Sequence, residues 1–137
     1  MVPSLDEIVC VSQGLVFAYA NDNGYDMATF TEEFLCSDFC RREWDADSSW
    51  YQFAHATQTM KFLIKECHLK KGKTYAHDVM YWVGYMYRLM AQTYHLPSRI
   101  VFQHISFDHM LDGFLSYHIL AFTVAAKYLH EDYWLER

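Results

Sequence analysis

Residues 75–94 read YAHDVMYWVGYMYRLMAQTY, a tyrosine-rich stretch with one acid (Asp78), one base (Arg88) and one glycine (Gly84) inside it. Apolar side chains recur there at helical spacing on more than one face. Val79, Val83, Met86 and Met90 form one line, and Trp82, Met86 and Leu89 the next. A helix of that kind must be covered almost all round, which makes it the centre of a bundle. Gly84 at mid-helix costs about 1 kcal/mol relative to alanine, a loss that close approach of another backbone offsets. Tyr81, Gly84, Tyr85 and Arg88 fall at i, i+3, i+4 and i+7, so the one permanent cation shares a face with two phenols. That face is the first candidate for recognition.

Working outward, Ser4 with Glu7 has capping-box spacing and opens a helix with Ile8, Val11, Leu15 and Ala18 or Tyr19 on one face, stopped at Asn21 to Gly24. Asp26 caps a second helix that runs to about Arg42 and turns Met27, Phe30, Phe34 and Leu35 inward. Asp45 to Ser49 reads as a loop. Ser49 with Gln52 opens a third helix, closed by Lys70, Lys71 and Gly72, and Thr74 caps the aromatic helix. Pro97 ends that helix, since the residue before a proline is pushed out of helical backbone. Ser98 to His104 gives one or two turns, Ser106 caps Phe107 to Phe114, and Ser116 or Tyr117 begins a last helix with Leu120, Val124, Tyr128 and Leu129 along it. Arg99 to Phe107 is the only place where an extended segment competes. The expectation is an all-α single domain over residues 1–137, a bundle of about five to six helices around the aromatic one.

Composition agrees: 53% of the residues are hydrophobic and 20% charged, which supports a folded core rather than disorder. The net charge of -6 is unevenly spread, because the first 40 residues hold seven acids and no Lys or Arg. That acidity weighs against nucleic acid and suits a basic protein partner or a solvated helix face. Asp6 and Glu7 stand where a secretory signal would need positive charge, and the longest uncharged apolar runs, Ile8 to Asn21 and Gly113 to Ala126, are too short to span a bilayer. These features give a soluble cytoplasmic protein with no membrane contact and reduced cysteines.

Four cysteines and eight histidines raise a metal reading. Cys36 and Cys40 at i, i+4 would present two thiolates on one helical face, with Cys67 and His68 completing a set, but the spacing is not that of a zinc finger or ribbon and buried thiols explain it more simply. His104, His109 and His118 make a second grouping without a zinc motif around it. No nucleophile elbow or phosphate loop is present, and Glu32 and Glu33, adjacent on a helix, diverge. No catalytic residue, metal or cofactor is therefore assigned. Lys61, Lys65, Lys70, Lys71 and Lys73, together with the short helix after Pro97, give a DNA-binding regulator as the alternative function, and a small metalloenzyme has the least support.

The run Met80 to Arg88, followed by Ser98, Ile100, Tyr117, His118 and Ala125, resembles a family of small helical bacterial proteins encoded in compact operons, commonly beside ADP-ribosyltransferase-like toxin candidates. They are treated as antitoxin-type proteins. In them a YWxGYxYR-like helix precedes a short Ser-started helix, a Tyr-His pair and a final helix. The segment Tyr94 to Pro97 departs from their polar Thr-Gly-like turn, and the N-terminal part is similar mainly in arrangement. The resemblance implies a non-enzymatic protein that binds and neutralises a cognate protein, with Tyr81, Tyr85, Arg88 and His118 as partner-binding positions; a homo-oligomer is compatible with it. Arg88 has a competing internal role, as a clamp onto the turn at Tyr117 and His118.

Overall fold

The structure is a computed structural model and describes residues 3–134. Seven α-helices are found among them: α1 (Leu5–Asp22), α2 (Met27–Leu35), α3 (Ala56–Glu66), α4 (His77–Tyr94), α5 (Ser98–His104), α6 (Phe107–Tyr117) and α7 (Phe122–Tyr133). A π-helical turn, Cys40–Trp44, and a 3-10 turn, Trp50–Gln52, connect α2 to α3. No strand forms among the described residues; the extended contact between Tyr25 and Lys71 is an isolated bridge. The bundle is all-α, and α4 is central to it, packed most extensively on α1 and also on α5, α6 and α7.

Several boundaries follow from local chemistry. Ser4 Oγ accepts the Glu7 N–H at 3.1 Å while Glu7 Oε1 accepts the Ser4 N–H at 3.0 Å, so two orphan donors of α1 are satisfied reciprocally. Asp26 Oδ2 accepts from Thr29 N and Thr29 Oγ1 and starts α2. Ser106 Oγ accepts the His109 N–H and starts α6.

Other boundaries differ from the sequence expectations. The second helix stops at Leu35, because Ser37 Oγ donates to Phe34 O at 2.7 Å and accepts the Cys40 N–H at 2.9 Å, turning the chain. Ser49 opens only the 3-10 turn, which packs Tyr51 on Phe39 and Phe62; α3 begins after His55, whose Nδ1 accepts the Thr57 N–H. The α3 helix ends at Glu66, and residues 67–76 run extended, held where Asn21 clasps Tyr75 through both its backbone N–H and its carbonyl. The same segment gives its Lys73 N–H to Asp26 Oδ1. No side chain caps α4, which starts after Ala76 rather than at Thr74. Arg99 to His104 is helical, with only Ile105 and Ser106 extended before α6, and α7 begins at Phe122, whose ring stacks on Tyr85 with centroids 3.9 Å apart.

Burial also departs from pattern. In α1 the inward residues include Val9, Cys10, Gln13, Gly14, Val16 and Phe17, whereas Val11 and Leu15 of the expected apolar face stay exposed. In α7, Ala125, Ala126 and Leu129 face inward while Val124 and Tyr128 remain outside. The core is strongly aromatic. Phe17 meets Phe30 and Phe34 edge-on at 5.2 and 5.7 Å, and Phe34 meets Trp44 at 5.9 Å. Close contact of α1 with α4 depends on two glycines, since a Cβ on Gly84 would lie 2.7 Å from Phe17 Cγ and one on Gly14 would lie 2.8 Å from the Tyr81 ring.

Candidate functional site: the Arg88 clamp and the cleft above it

Arg88 sits near the C-terminal end of α4 with its side chain 3% exposed. A cation there needs several acceptors, and three separate parts of the chain supply four of them. Its Nε donates to Gln13 Oε1 of α1 at 2.8 Å, and Nη1 donates to Asp45 Oδ1, just past the π-helical turn, at 2.8 Å. Its Nη2 donates to Ser98 Oγ, at the start of α5, at 2.9 Å and to Cys40 Sγ at 3.6 Å. Asp45 in turn accepts the Ser98 hydroxyl at 2.6 Å and the Ser98 backbone N–H at 3.1 Å. Gln13 closes the circuit by donating Nε2 to Gly84 O at 2.9 Å.

The competing internal role is thus the one seen, but with different partners: Arg88 joins α1, the π-helical turn and α5, not the turn at Tyr117 and His118. The break between α4 and α5 at Pro97 makes this geometry possible. His95 takes left-handed backbone at φ 54, ψ 48, its own N–H and that of Leu96 return to Ala91 O, and Pro97 then directs Ser98 to the carboxylate. Left-handed backbone costs a non-glycine residue about 1 kcal/mol, which the buried network holds in place.

The four positions expected to bind a partner, Tyr81, Tyr85, Arg88 and His118, do not form one surface. Tyr85 is buried against Phe122, and Tyr81 is half-buried over Gly14. His118 is exposed, stacks on Phe114 and directs Nδ1 to Phe114 O, one turn before it. The helical face carrying Tyr81, Gly84, Tyr85 and Arg88 is core, because its glycine admits α1 and its phenols pack on helices. Sequence reading missed Asp45 and Gln13. A buried arginine signals that an acid must exist, but nothing local says which of seventeen.

Above the clamp lies an open cleft of about 530 Å³, with Arg88 and Asp45 at its base and Asp6, Asp47, Gln52 and His95 around it. Gln52 shapes one wall by donating Nε2 to the carbonyls of Glu43 and Ala46 at 3.1 and 3.0 Å. Gln52 Oε1 and Trp44 Nε1 are buried in this wall without a hydrogen-bond partner among the described residues. A second cleft of about 450 Å³ lies beside Tyr85, Leu89 and Phe122 and shares Asp6 and Gln92 with the first. Those two residues touch: Gln92 Nε2 donates to Asp6 O at 3.1 Å, and Cys10 Sγ donates to Gln92 Oε1 at 3.2 Å.

Burial pushes the thiols of Cys10 and Cys40 up to about 12, which keeps both protonated at neutral pH. Cys36 and Cys40 do not share a helical face, because α2 ends at Leu35 and Cys40 is turned inward to Ser98. His104 and His109 stack on Trp134 and Tyr133 respectively, apart from His118 on Phe114. Among the described residues no three His, Cys, Asp or Glu side chains are placed to hold one metal ion. The cleft therefore offers carboxylates and apolar surface, with no activated thiolate.

Comparison of the chain with known protein families, with curated proteins and with solved structures gives no match. No described helix is long and apolar enough to cross a membrane.

Proposed function

We propose that this protein is a non-enzymatic interaction module of the cytoplasm, an antitoxin-like protein that binds and neutralises a cognate protein encoded beside it. The observation that carries this reading is the turn at Trp50–Gln52. Trp50 and the following Phe53 are 64% and 50% exposed, three residues apart, while Gln52 between them is buried and lines the cleft above Arg88. Large aromatic side chains left in water beside a concave surface suit the role of anchors, since buried Trp side chains dominate many interfaces. The resemblance of residues 80–88 and of the Ser98 and Tyr117-His118 positions to antitoxin-type proteins points the same way. The proteins that the chain resembles are commonly encoded beside ADP-ribosyltransferase-like toxin candidates, and a toxin of that class is the partner proposed.

The regulator alternative gains nothing from the geometry. The helix after Pro97 has seven residues, two of them buried (Ser98 and Val101), and carries a single arginine, Arg99.

Co-expression with the product of the adjacent gene, followed by affinity capture, tests the proposal. The two proteins should co-purify, and growth arrest caused by the neighbour alone should be relieved. Trp50→Ala and Phe53→Ala should each weaken the complex about tenfold or more without changing the melting temperature by more than a degree or two. Failure of the adjacent product to bind, or binding indifferent to both changes, would sink the proposal.

A further inference from the structure

We infer that the two clefts joined at Asp6 and Gln92 form one docking groove for a basic segment of a partner protein, its cationic side chains meeting Asp47 and Asp6 and its apolar ones lying over Leu89 and Phe122. The inference rests on the reading of the chain as a protein-binding module and names the chemistry that this surface takes. Charge carries it. The two linings together hold four carboxylates, Asp6, Glu7, Asp45 and Asp47, against one arginine and no lysine. That arginine is Arg88, already neutralised by Asp45 at 2.8 Å.

The remaining carboxylates are uncommitted or nearly so. Glu7 accepts one backbone N–H, from Ser4. The side chains of Asp6 and Asp47 carry no hydrogen bond or ion pair to a described residue, and both residues are exposed. Nearby, Gln52 Oε1 is a further acceptor without a partner, in a residue only 1% exposed. Phosphate and nucleic acid are repelled by such a surface, whereas a lysine or arginine side chain gains an unpaired carboxylate at little desolvation cost. The apolar part of the groove, with Leu89 and Phe122 beside Tyr85, receives the neighbouring side chains of the same segment. Each cleft falls in the range of roughly 300–1,000 Å³ typical of ligand cavities.

Two fluorescein-labelled ten-residue peptides of alternating leucine and arginine, or leucine and glutamate, are the probes, read by fluorescence anisotropy against the full chain. The arginine peptide should bind saturably, the glutamate peptide should not, and affinity should fall as salt rises from about 0.05 M to about 0.3 M. Asp47→Lys should weaken arginine-peptide binding about tenfold, while Glu32→Lys, an equal change in net charge on the exposed side of α2, should leave it within about twofold. Equal weakening by both variants would mean attraction to net charge alone and would overturn the groove, as would equal binding of the two peptides.

The same Asp47→Lys protein is then tested against the adjacent gene product. Capture by the wild type and equally by Asp47→Lys removes the groove and keeps the interaction reading. Peptide binding that depends on Asp47, with no capture of the neighbour, removes the antitoxin reading and keeps the groove.

Discussion

Gly84→Ala tests the packing of α1 on α4 most directly. A Cβ built at Gly84 lies 2.7 Å from Phe17 Cγ, 2.8 Å from Gln13 O and 2.8 Å from Phe17 Cβ, where ordinary contact begins at 3.4 Å. Two of those three atoms cannot rotate away: one is backbone and the other is fixed by it. The helices must separate by about 0.6 Å, which thins dispersion contacts along the whole α1–α4 seam. Overpacking of this kind costs typically 1–3 kcal/mol, and the upper half of that range applies because the obstruction is rigid. Alanine returns about 1 kcal/mol of helix propensity, so the net loss is about 1–2 kcal/mol.

Calorimetry should then show a melting temperature lower by about 4–8 °C for a chain of this size. Gly84→Leu should lose about 3 kcal/mol or more. Gly14→Ala strains the same seam against Tyr81, so the Gly14→Ala/Gly84→Ala protein should lose less than the sum of the single changes, the helices having parted already. A Gly84→Ala protein that melts at or above the wild-type temperature would refute the reasoning.

Arg88→Lys should lower stability by about 2–3 kcal/mol, since an ammonium cannot reach Gln13, Asp45, Ser98 and Cys40 in one plane, and a thermal melt unchanged by it would show the clamp to be dispensable. Thiol titration with an aromatic disulfide at pH 8 should label exposed Cys36 first and Cys67, pushed up to about 11 by burial, slowly, leaving Cys10 and Cys40 unlabelled until the protein unfolds; early labelling of Cys40 would contradict its burial. Asp26→Ala should cost about 1–2 kcal/mol at neutral pH as α2 loses its cap. Hydrogen bonds from the Thr29 hydroxyl and from the Lys73 and Thr29 amides hold the Asp26 carboxyl below its ordinary value, so its contribution is present above that value and is lost as pH falls through the folded one. The stability gap between Asp26→Ala and wild type should therefore close in strong acid, and a gap independent of pH would refute the ionic part. The Tyr117 phenol, hydrogen-bonded to Asp132 at 2.6 Å, is pushed up to about 12, so it stabilises the fold fully below pH about 10 and loses that contribution as pH rises through about 12; the late ionisation that Tyr117 shares with Tyr85 should fall in amplitude by one phenol in difference spectra of Tyr117→Phe, and an unchanged amplitude would refute the assignment.

The sequence by itself determined what is local. Helical periodicity without competing alternation made the chain all-α, and the side-chain caps at Ser4, Asp26 and Ser106 marked three helix starts, because each hydrogen bond closes within three residues. Pro97 ended α4 and Ser98 began α5 for the same reason: a proline acts on its neighbour. The inward face of α2, with Met27, Phe30, Phe34 and Leu35, was legible as well, whereas tertiary structure decided which faces of α1, α4 and α7 are inside. A helix apolar on most sides, as α4 is, does not say whether Tyr85 and Arg88 meet solvent or another helix; that depends on α1 reaching Gly84 and on Asp45, 43 residues away in sequence, reaching the guanidinium. The early end of α2 is local too, set by Ser37, but long-range contacts moved the starts of α3, α4 and α7, where packing of Tyr51 on Phe39, the clasp of Asn21 on Tyr75 and the stack of Phe122 on Tyr85 outweighed local capping signals worth about 1 kcal/mol each.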